Sequence, residues 1–147
     1  MRLFSLCFFL TLITLGFCFN AKAAEQPFIE VISSDSFSVT GIKALQRQGL
    51  SVKVYNLDDG KRLVAQISTN LPNNQNAAKN VLQQRFKKMG DKQVKAQFIQ
   101  AYQAVTLSTQ YGLTRYPAVV FNHGESVVYG ETNLVQALRL YQQWKAK

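Results

Sequence analysis

The sequence predicts a single α/β domain, and three observations support this fold class. Two short segments rich in apolar and β-branched residues, 28–32 and 50–57, lie on either side of a segment with helical character. A long stretch between Asp58 and Tyr111 then has helical periodicity and no strand pattern. Two more short apolar segments, 118–121 and 126–129, precede a closing amphipathic helix. This order of elements is typical of a sheet covered by helices.

The first part of the domain is predicted to be a strand–helix–strand unit. Residues 28–32 are apolar enough for a buried strand, and a helix over 39–48 ends at Gly49, a residue suited to a helix terminus. Residues 50–57 alternate in polarity and predict the second strand. Asp58 or Asp59 then caps a helix that stops before Pro72. Because a helix connects the two strands, we expect them to be parallel neighbours.

The middle of the chain is predicted to be helical. Residues 73–89 form one helix, Gly90 breaks it, and Asp91 is expected to cap a second helix over 92–111. In that second helix the spacing assigns four residues mainly to one apolar face: Phe98, Tyr102, Val105 and Leu107. The last helix is predicted over 131–144, with an apolar stripe of Leu134, Val135, Leu138 and Tyr141.

The first 23 residues have the pattern of an export signal. Arg2 supplies the positive end, residues 3–19 are almost wholly apolar, and Ala21-Lys22-Ala23 is a small-x-small cleavage site. We therefore expect a signal peptide at 1–23, a single domain at 24–147 and a periplasmic location. The alternative is an uncleaved N-terminal anchor.

Both cysteines, Cys7 and Cys18, lie in the predicted signal. The exported domain would then have no thiol, which argues against thiol–disulfide chemistry such as that of a disulfide isomerase. The net charge of the whole chain is +9. Such a surface favours acidic proteins, anionic lipid headgroups or nucleic acid, although a solvated basic surface explains it equally well.

One stretch near the end of the chain resembles part of a known fold. Tyr111-Gly112-Leu113, then Pro117 and an apolar strand, a glycine turn, a short strand, Gly130 and a helix are similar to the C-terminal half of a thioredoxin fold. In that fold the proline is cis and faces the redox cysteines, but here the sequence leaves its isomer open. The position of the Cys-x-x-Cys motif is occupied by residues 33–36, Ser-Ser-Asp-Ser. The expected fold is thioredoxin-like, β-α-β-(helical insertion)-β-β-α, with the insertion at about 59–111 and without that motif.

The exported part as a whole resembles a family of exported proteins from integrating conjugative elements. This family is distantly similar to the TrbC-type conjugative pilus-assembly proteins. The matching positions are residues 54–58, 71–72, 112–113, 116–121, 128–130, 137–138, 141 and 144. The resemblance implies an accessory or assembly role in a conjugative type IV secretion system, through contact with other components of the transfer apparatus. It implies no enzymatic activity, no cofactor and no small-molecule substrate.

The first candidate site lies around the proline. Ser34 and Asp35 are expected to face Arg115, Tyr116 and Pro117, where a hydrogen-bonding groove could bind an extended peptide by β-augmentation. On this hypothesis the protein could instead be a periplasmic peptide- or small-ligand-binding module. The simpler interpretation is that the hydroxyls and the carboxylate of residues 33–36 cap the following helix.

The second candidate site is a basic cluster around Gly90. Lys87 and Lys88 suit the C-terminus of a helix, but Lys92 and Lys95 fall in the first turn of the next helix, where positive charge is unfavourable. We therefore expect Lys92 and Lys95 to contact an anionic partner, or else to be solvated. Direct nucleic-acid binding is not expected, because the nearby aromatic residues occupy apparent core positions. Membrane contact would be peripheral at most.

The single histidine gives no catalytic or metal site. His123 lies in Asn-His-Gly-Glu, which is typical of a turn. A zinc site needs several ligands of compatible type, and a catalytic triad needs a nucleophile and a base in register. The sequence therefore predicts neither kind of site at His123. Together with the missing thiols, the resemblance implies a protein that is not an enzyme and acts by protein–protein interaction.

Overall fold

The computed structural model describes residues 26–147, so the predicted export signal at 1–23 lies outside the described residues. The described part contains a four-stranded mixed sheet and six α-helices, which confirms the α/β class. The elements are β1 (Ile29–Ser33), α1 (Ile42–Arg47), β2 (Val52–Asn56), α2 (Asp59–Ile67), α3 (Gln75–Met89), α4 (Asp91–Ala101), α5 (Gln103–Gln110), β3 (Ala118–Phe121), β4 (Ser126–Tyr129) and α6 (Leu134–Lys145).

The strands form one four-stranded mixed sheet in the order β2-β1-β3-β4. β1 and β2 are parallel, as predicted from the helix between them, and Ile29 pairs with Val52. β3 runs antiparallel to both of its neighbours, β1 and β4. Every residue of β1 and β3 is buried, because both strands lie inside the sheet and helices cover its two faces. This explains why both segments are almost continuously apolar.

The two faces of the sheet carry separate clusters of apolar side chains. On one face the odd-numbered residues of β1 and β3 pack against α1 and α6, and the ring of Phe121 stacks on that of Tyr141 with centroids 4.3 Å apart. On the other face Ile32 and Val120 pack against Ala104 of α5. Successive side chains of a strand point to opposite faces, so Glu30 lies on the same face as Ile32.

The predicted helix over 92–111 is wrong in one respect, because the structure has two helices there. α4 ends and α5 begins at Tyr102, whose backbone is not helical. α4 packs against α2 and α3, whereas α5 packs against β1 and β2. The break lets the chain pass from the outer helical layer to the sheet. Tyr102 and Val105 are 40% and 45% exposed, so their assignment to the buried face is also wrong.

The closing helix begins three residues later than predicted. α6 starts at Leu134, after Asn133, whose side-chain oxygen accepts hydrogen bonds from the backbone N–H groups of Val135 and Gln136. Asn133 therefore satisfies two donors that an α-helix leaves unpaired at its start. In the predicted stripe Val135 is 43% exposed, and Ala137 takes its place in the core.

Helix α3 is peripheral to the sheet. It has no buried residue and packs against α4. Its first turn is capped by Asn74, whose side-chain oxygen accepts from Ala77 N at 3.0 Å. Within residues 26–147 no helix is both long and apolar enough to cross a bilayer.

Two leucines of α6 provide a matched test of this packing. Leu138 is 7% exposed and lies in the core, whereas Leu140 is 39% exposed. We expect Leu138→Ala to lower the free energy of unfolding by about 2–5 kcal/mol, through lost apolar burial and the cavity left behind. Leu140→Ala should change it by no more than about 1 kcal/mol. Urea unfolding followed by circular dichroism measures both; equal losses would contradict the assigned face of α6.

Candidate functional site

The proline lies at the end of the sheet where β1 stops and β3 starts. Ile32, near the end of β1, pairs with Ala118, the first residue of β3. Because the two strands are antiparallel, the residues after Ile32 lie next to the residues before Ala118. Continued by one and two residues, this register places Ser33 opposite Pro117 and Ser34 opposite Tyr116. The Tyr116–Pro117 peptide bond is cis, and the Pro117 carbonyl accepts a hydrogen bond of 2.8 Å from Gly130 N. We call this end of the sheet, with Ser34, Asp35, Arg115, Tyr116 and Pro117, the proline edge.

Asp35 connects three segments at the proline edge. Its carboxylate accepts hydrogen bonds from the Arg62 guanidinium and from Asn56 Nδ2, the latter at 2.7 Å. Its backbone N–H donates to Asp58 Oδ2 at 3.0 Å. The hydrogen bond from Arg62, followed by that from Asn56, holds the pKa of Asp35 below its usual value. The carboxylate is therefore ionised at neutral pH and joins the loop after β1 to β2 and α2.

The hypothesis that residues 33–36 cap the following helix is wrong. α1 begins at Ile42, and its N-cap residue is Gly41, which has no side chain to accept a hydrogen bond. Ser34 instead closes a turn, since its carbonyl accepts from Phe37 N at 3.1 Å. The segment from Ser34 to Gly41 is thus a loop beside the proline.

The opposite rim of the proline edge is formed by Arg115. Its guanidinium carbon lies 5.2 Å from the centre of the Tyr129 ring, in a cation–π contact. Tyr116 is half-buried and packs against the Ile32–Val120 cluster. The proline edge therefore includes an exposed carboxylate, that of Asp35, which is paired with Arg62, and a guanidinium, that of Arg115, which lies over the Tyr129 ring.

The backbone before Pro117 is accessible for pairing, but β3 is not. β3 is hydrogen-bonded to β1 on one side and to β4 on the other. In contrast, Thr114, Arg115 and Tyr116 take part in no backbone–backbone hydrogen bond with the rest of residues 26–147. A peptide bound at the proline would thus pair with residues 114–116 and not with β3.

Lys92 and Lys95 are not part of the proline edge. Both are exposed in the first turns of α4, which packs against α2 and α3 and not against the sheet. The prediction that Asp91 caps this helix is wrong, because Gly90 is the N-cap residue and no side chain caps α4. The predicted site residues therefore fall on two separate surfaces.

Sequence inspection missed a polar cluster at the opposite end of the sheet, centred on Glu30. The Glu30 side chain is 5% exposed, although it is ionisable. Its carboxylate accepts a hydrogen bond of 2.7 Å from the Tyr111 hydroxyl, and the Tyr55 hydroxyl lies at 3.5 Å. His123 Nδ1 is 3.3 Å from Glu30 Oε2. The signal available in the sequence was a glutamate in the middle of the apolar segment Phe-Ile-Glu-Val-Ile.

The turn that carries His123 is held from both sides. His123 has φ 56° within a turn, as the sequence predicted, and its ring stacks on Phe28 with centroids 4.6 Å apart. The side-chain oxygen of Asn122 accepts from Phe28 N at 3.0 Å, and its amide donates to the Tyr141 hydroxyl at 3.0 Å. The Glu30 cluster thus fixes the β3–β4 turn against β1.

Both carboxylates are held in place by neighbouring donors, an arrangement that suits a binding or structural role. The Arg62 guanidinium and Asn56 Nδ2 donate to Asp35, and the Tyr111 hydroxyl donates to Glu30. Among residues 26–147 no group of three or more histidine, cysteine or acidic residues could hold a metal ion.

Replacement of Tyr111 tests the Glu30 cluster. Tyr111→Phe removes a hydroxyl that donates to a buried carboxylate, so we expect the free energy of unfolding at pH 7 to fall by about 1–3 kcal/mol. The control is Tyr102→Phe, at a tyrosine that is 40% exposed. If the two variants unfold at the same urea concentration, the Tyr111 hydroxyl does not support Glu30.

The raised pKa of Tyr111 leads to a prediction of how the free energy of unfolding changes at alkaline pH. Burial, and then the hydrogen bond to Glu30, raise the pKa of Tyr111 to about 12, and burial also raises that of Tyr55. The unfolded chain loses these protons near pH ~10. The stabilisation from proton retention is therefore complete below pH ~10 and is lost as the pH rises through the folded-state value near 12.

Thermal unfolding of the wild type and of Tyr111→Phe between pH 9 and pH 12 measures this effect. The wild type should lose more stability over this range, because phenylalanine has no proton to lose. Parallel curves for the two proteins would contradict the raised pKa of Tyr111.

Comparison with known proteins places the chain in a family. Residues 29–147, which run from the first residue of β1 to the end of the chain, match the model of a family described as a protein of unknown function, DUF1525. No curated protein and no solved structure matches the chain significantly. The matched segment includes the proline edge, the Glu30 cluster and every helix named above. The chain therefore belongs to the DUF1525 family.

Proposed function

We propose that this protein is a non-catalytic, thioredoxin-like binding protein of the periplasm. In this proposal it serves as an accessory or assembly component of a conjugative type IV secretion system and acts by contact with other components. The observation that carries the proposal is the proline edge. It combines an accessible backbone segment before Pro117 with Ser34 and Asp35 at the place where a thioredoxin-like redox protein would have its thiols.

The sheet supports the thioredoxin-like assignment. A parallel β1–α1–β2 unit and an antiparallel β3–β4 pair followed by α6 form the order β2-β1-β3-β4. Helices α2 to α5 connect the β1–α1–β2 unit to the β3–β4 pair. A minimal thioredoxin-like domain would need only one helix in this connection, so here the connection is enlarged. The loop after β1 lies next to the residues before β3, as the thioredoxin-like arrangement requires.

The proline edge is suited to binding a polypeptide. Residues 114–116 offer backbone donors and acceptors for an added strand, and Asp35 and Arg115 offer opposite charges on the two sides. Because Arg62 and Asn56 orient Asp35 before any partner binds, little conformational freedom would be lost there on association.

The assignment to conjugation rests on the resemblance of the exported part to proteins of integrating conjugative elements. Two of the resembling blocks, residues 116–121 and 128–130, are neighbours in space. Block 116–121 contains Pro117 and β3, and block 128–130 contains the end of β4. The two blocks are joined by the hydrogen bond from Gly130 N to the Pro117 carbonyl. These two blocks border the proline edge, which favours that edge as the working surface.

Arg115→Glu in a donor cell tests this function. Conjugation frequency would be measured after deletion of the gene and complementation, together with recovery of transfer-apparatus proteins by a photo-crosslinker at Thr114. We expect about tenfold weaker recovery for Arg115→Glu, since an interface arginine commonly contributes more than about 1 kcal/mol. The control is Arg139→Glu, the same charge change on an exposed residue of α6.

Three outcomes separate the alternatives. Loss of recovery and of transfer in Arg115→Glu alone supports the proposal. Equal effects of Arg115→Glu and Arg139→Glu would argue against the proline edge. If the wild type is crosslinked to no envelope component and its deletion leaves transfer unchanged, the conjugative role fails. Co-purification of a peptide or small molecule would then favour a ligand-binding module.

A further inference from the structure

Helices α3 and α4 form a hairpin that concentrates the positive charge of the protein. They meet at Gly90, whose φ of 82° reverses the chain direction. Asp91 is the one acidic residue between positions 60 and 124 of the sequence. We call residues 75–101 the basic hairpin; its cationic residues are Lys79, Arg85, Lys87, Lys88, Lys92 and Lys95.

The lysines of the basic hairpin are not used by the fold. All five are exposed, and no ion pair within residues 26–147 includes any of them. Arg85 differs, because its Nη1 donates to the Ile67 carbonyl at 2.6 Å and ties α3 to the end of α2. The positive charge available to a partner therefore comes from lysine.

Exposed and partly buried apolar side chains lie among these lysines. Ile99 is 62% exposed, and its spacing places it on the same face of α4 as Lys92 and Lys95. On α3 a stripe of Ala78, Leu82 and Phe86 lines a surface hollow of about 490 Å³, together with Lys79. A soluble helix usually buries such a stripe, but α3 has no buried residue.

We propose that the basic hairpin docks on the surface of an anionic phospholipid membrane. Lysine ammonium groups at the bilayer surface are attracted to negatively charged headgroups. Isolated apolar side chains between the lysines can enter the interfacial layer of the bilayer. The hairpin would lie on the bilayer and not cross it. Its exposed apolar area is small and its charge is high, so electrostatic attraction supplies most of the binding.

The choice of lysine favours lipid over an acidic protein as the partner. Protein interfaces are enriched in arginine, tyrosine and tryptophan and depleted in lysine. Arginine also binds carboxylates in a fixed two-pronged geometry that lysine lacks. The basic hairpin has five exposed lysines and no exposed arginine, tyrosine or tryptophan. Each lysine carries its charge as a point charge at the end of a flexible side chain. Such a surface suits a fluid layer of headgroups, where no fixed acceptor geometry is needed.

This inference does not depend on the proposed function, because the basic hairpin and the proline edge are separate surfaces. The test is co-sedimentation of the chain from Ala24, which contains the whole described core, with vesicles of phosphatidylglycerol and phosphatidylcholine. We expect binding to these vesicles, little binding to phosphatidylcholine alone, and release by added salt. Each lysine at a membrane surface contributes roughly fivefold to binding, so Lys92→Gln/Lys95→Gln should lower it about 30-fold.

Two further variants separate membrane docking from general charge attraction. Lys43→Gln/Arg139→Gln removes the same charge from exposed positions on α1 and α6, so its binding should fall much less. Ile99→Ser keeps the charge and should lower binding a few-fold, because its exposed side chain no longer enters the interface.

The proposal is overturned if anionic vesicles do not bind the protein, or if both double variants lose binding equally. It is also overturned if the protein does not bind vesicles but is retained on immobilised poly-glutamate, and if Lys92→Gln/Lys95→Gln abolishes that retention. The partner is then an acidic polypeptide. Circular dichroism of each variant checks that the fold is intact.

Discussion

The antiparallel pairing of β1 with β3 determines where both polar centres of this protein lie. β1 belongs to the first half of the chain and β3 to the second, and five helices and strand β2 separate them in sequence. Their pairing brings Ser34 beside Pro117 at one end of the sheet and Glu30 towards the His123 turn at the other. Because helices cover both faces of these strands, a slip of one residue would exchange their side chains between the two apolar clusters and would move Glu30 away from Tyr111 to the face covered by α1 and α6. The register is therefore strongly specified.

The carboxylates at the two ends of the sheet, Glu30 and Asp35, are stabilised in different ways. Glu30 is buried, so its carboxylate needs nearby donors to offset the cost of leaving water, and two tyrosine hydroxyls and His123 lie around it. Asp35 is exposed, so water already stabilises its charge, and the bonds from Arg62 and Asn56 mainly fix its position. The first arrangement is suited to holding the turn, and the second to presenting a fixed anion.

The fold class and the strands could be predicted from local patterns, but the polar clusters could not. Residues 118–121 are apolar because β3 is buried on both faces, and the parallel β1–β2 pair follows from the helix between them. Local patterns failed at Tyr102, where α4 turns away from the outer layer towards the sheet. The partner of Glu30, Tyr111, lies 81 residues further along the chain, a distance at which no spacing rule operates.

The proline edge and the basic hairpin are physically independent surfaces on one chain. The proline edge depends on the β1–β3 pairing, whereas α3 touches the rest of the protein through α4 and through the Arg85–Ile67 hydrogen bond. Ordering the fifteen residues of α3 costs conformational entropy, and its apolar side chains, such as Leu82 and Phe86, are only partly buried in return. A contribution to folding therefore explains α3 only in part. A surface for a partner explains it better, because there its lysines and half-exposed apolar stripe become useful. On this view the sheet binds a polypeptide while the basic hairpin holds the protein against a membrane.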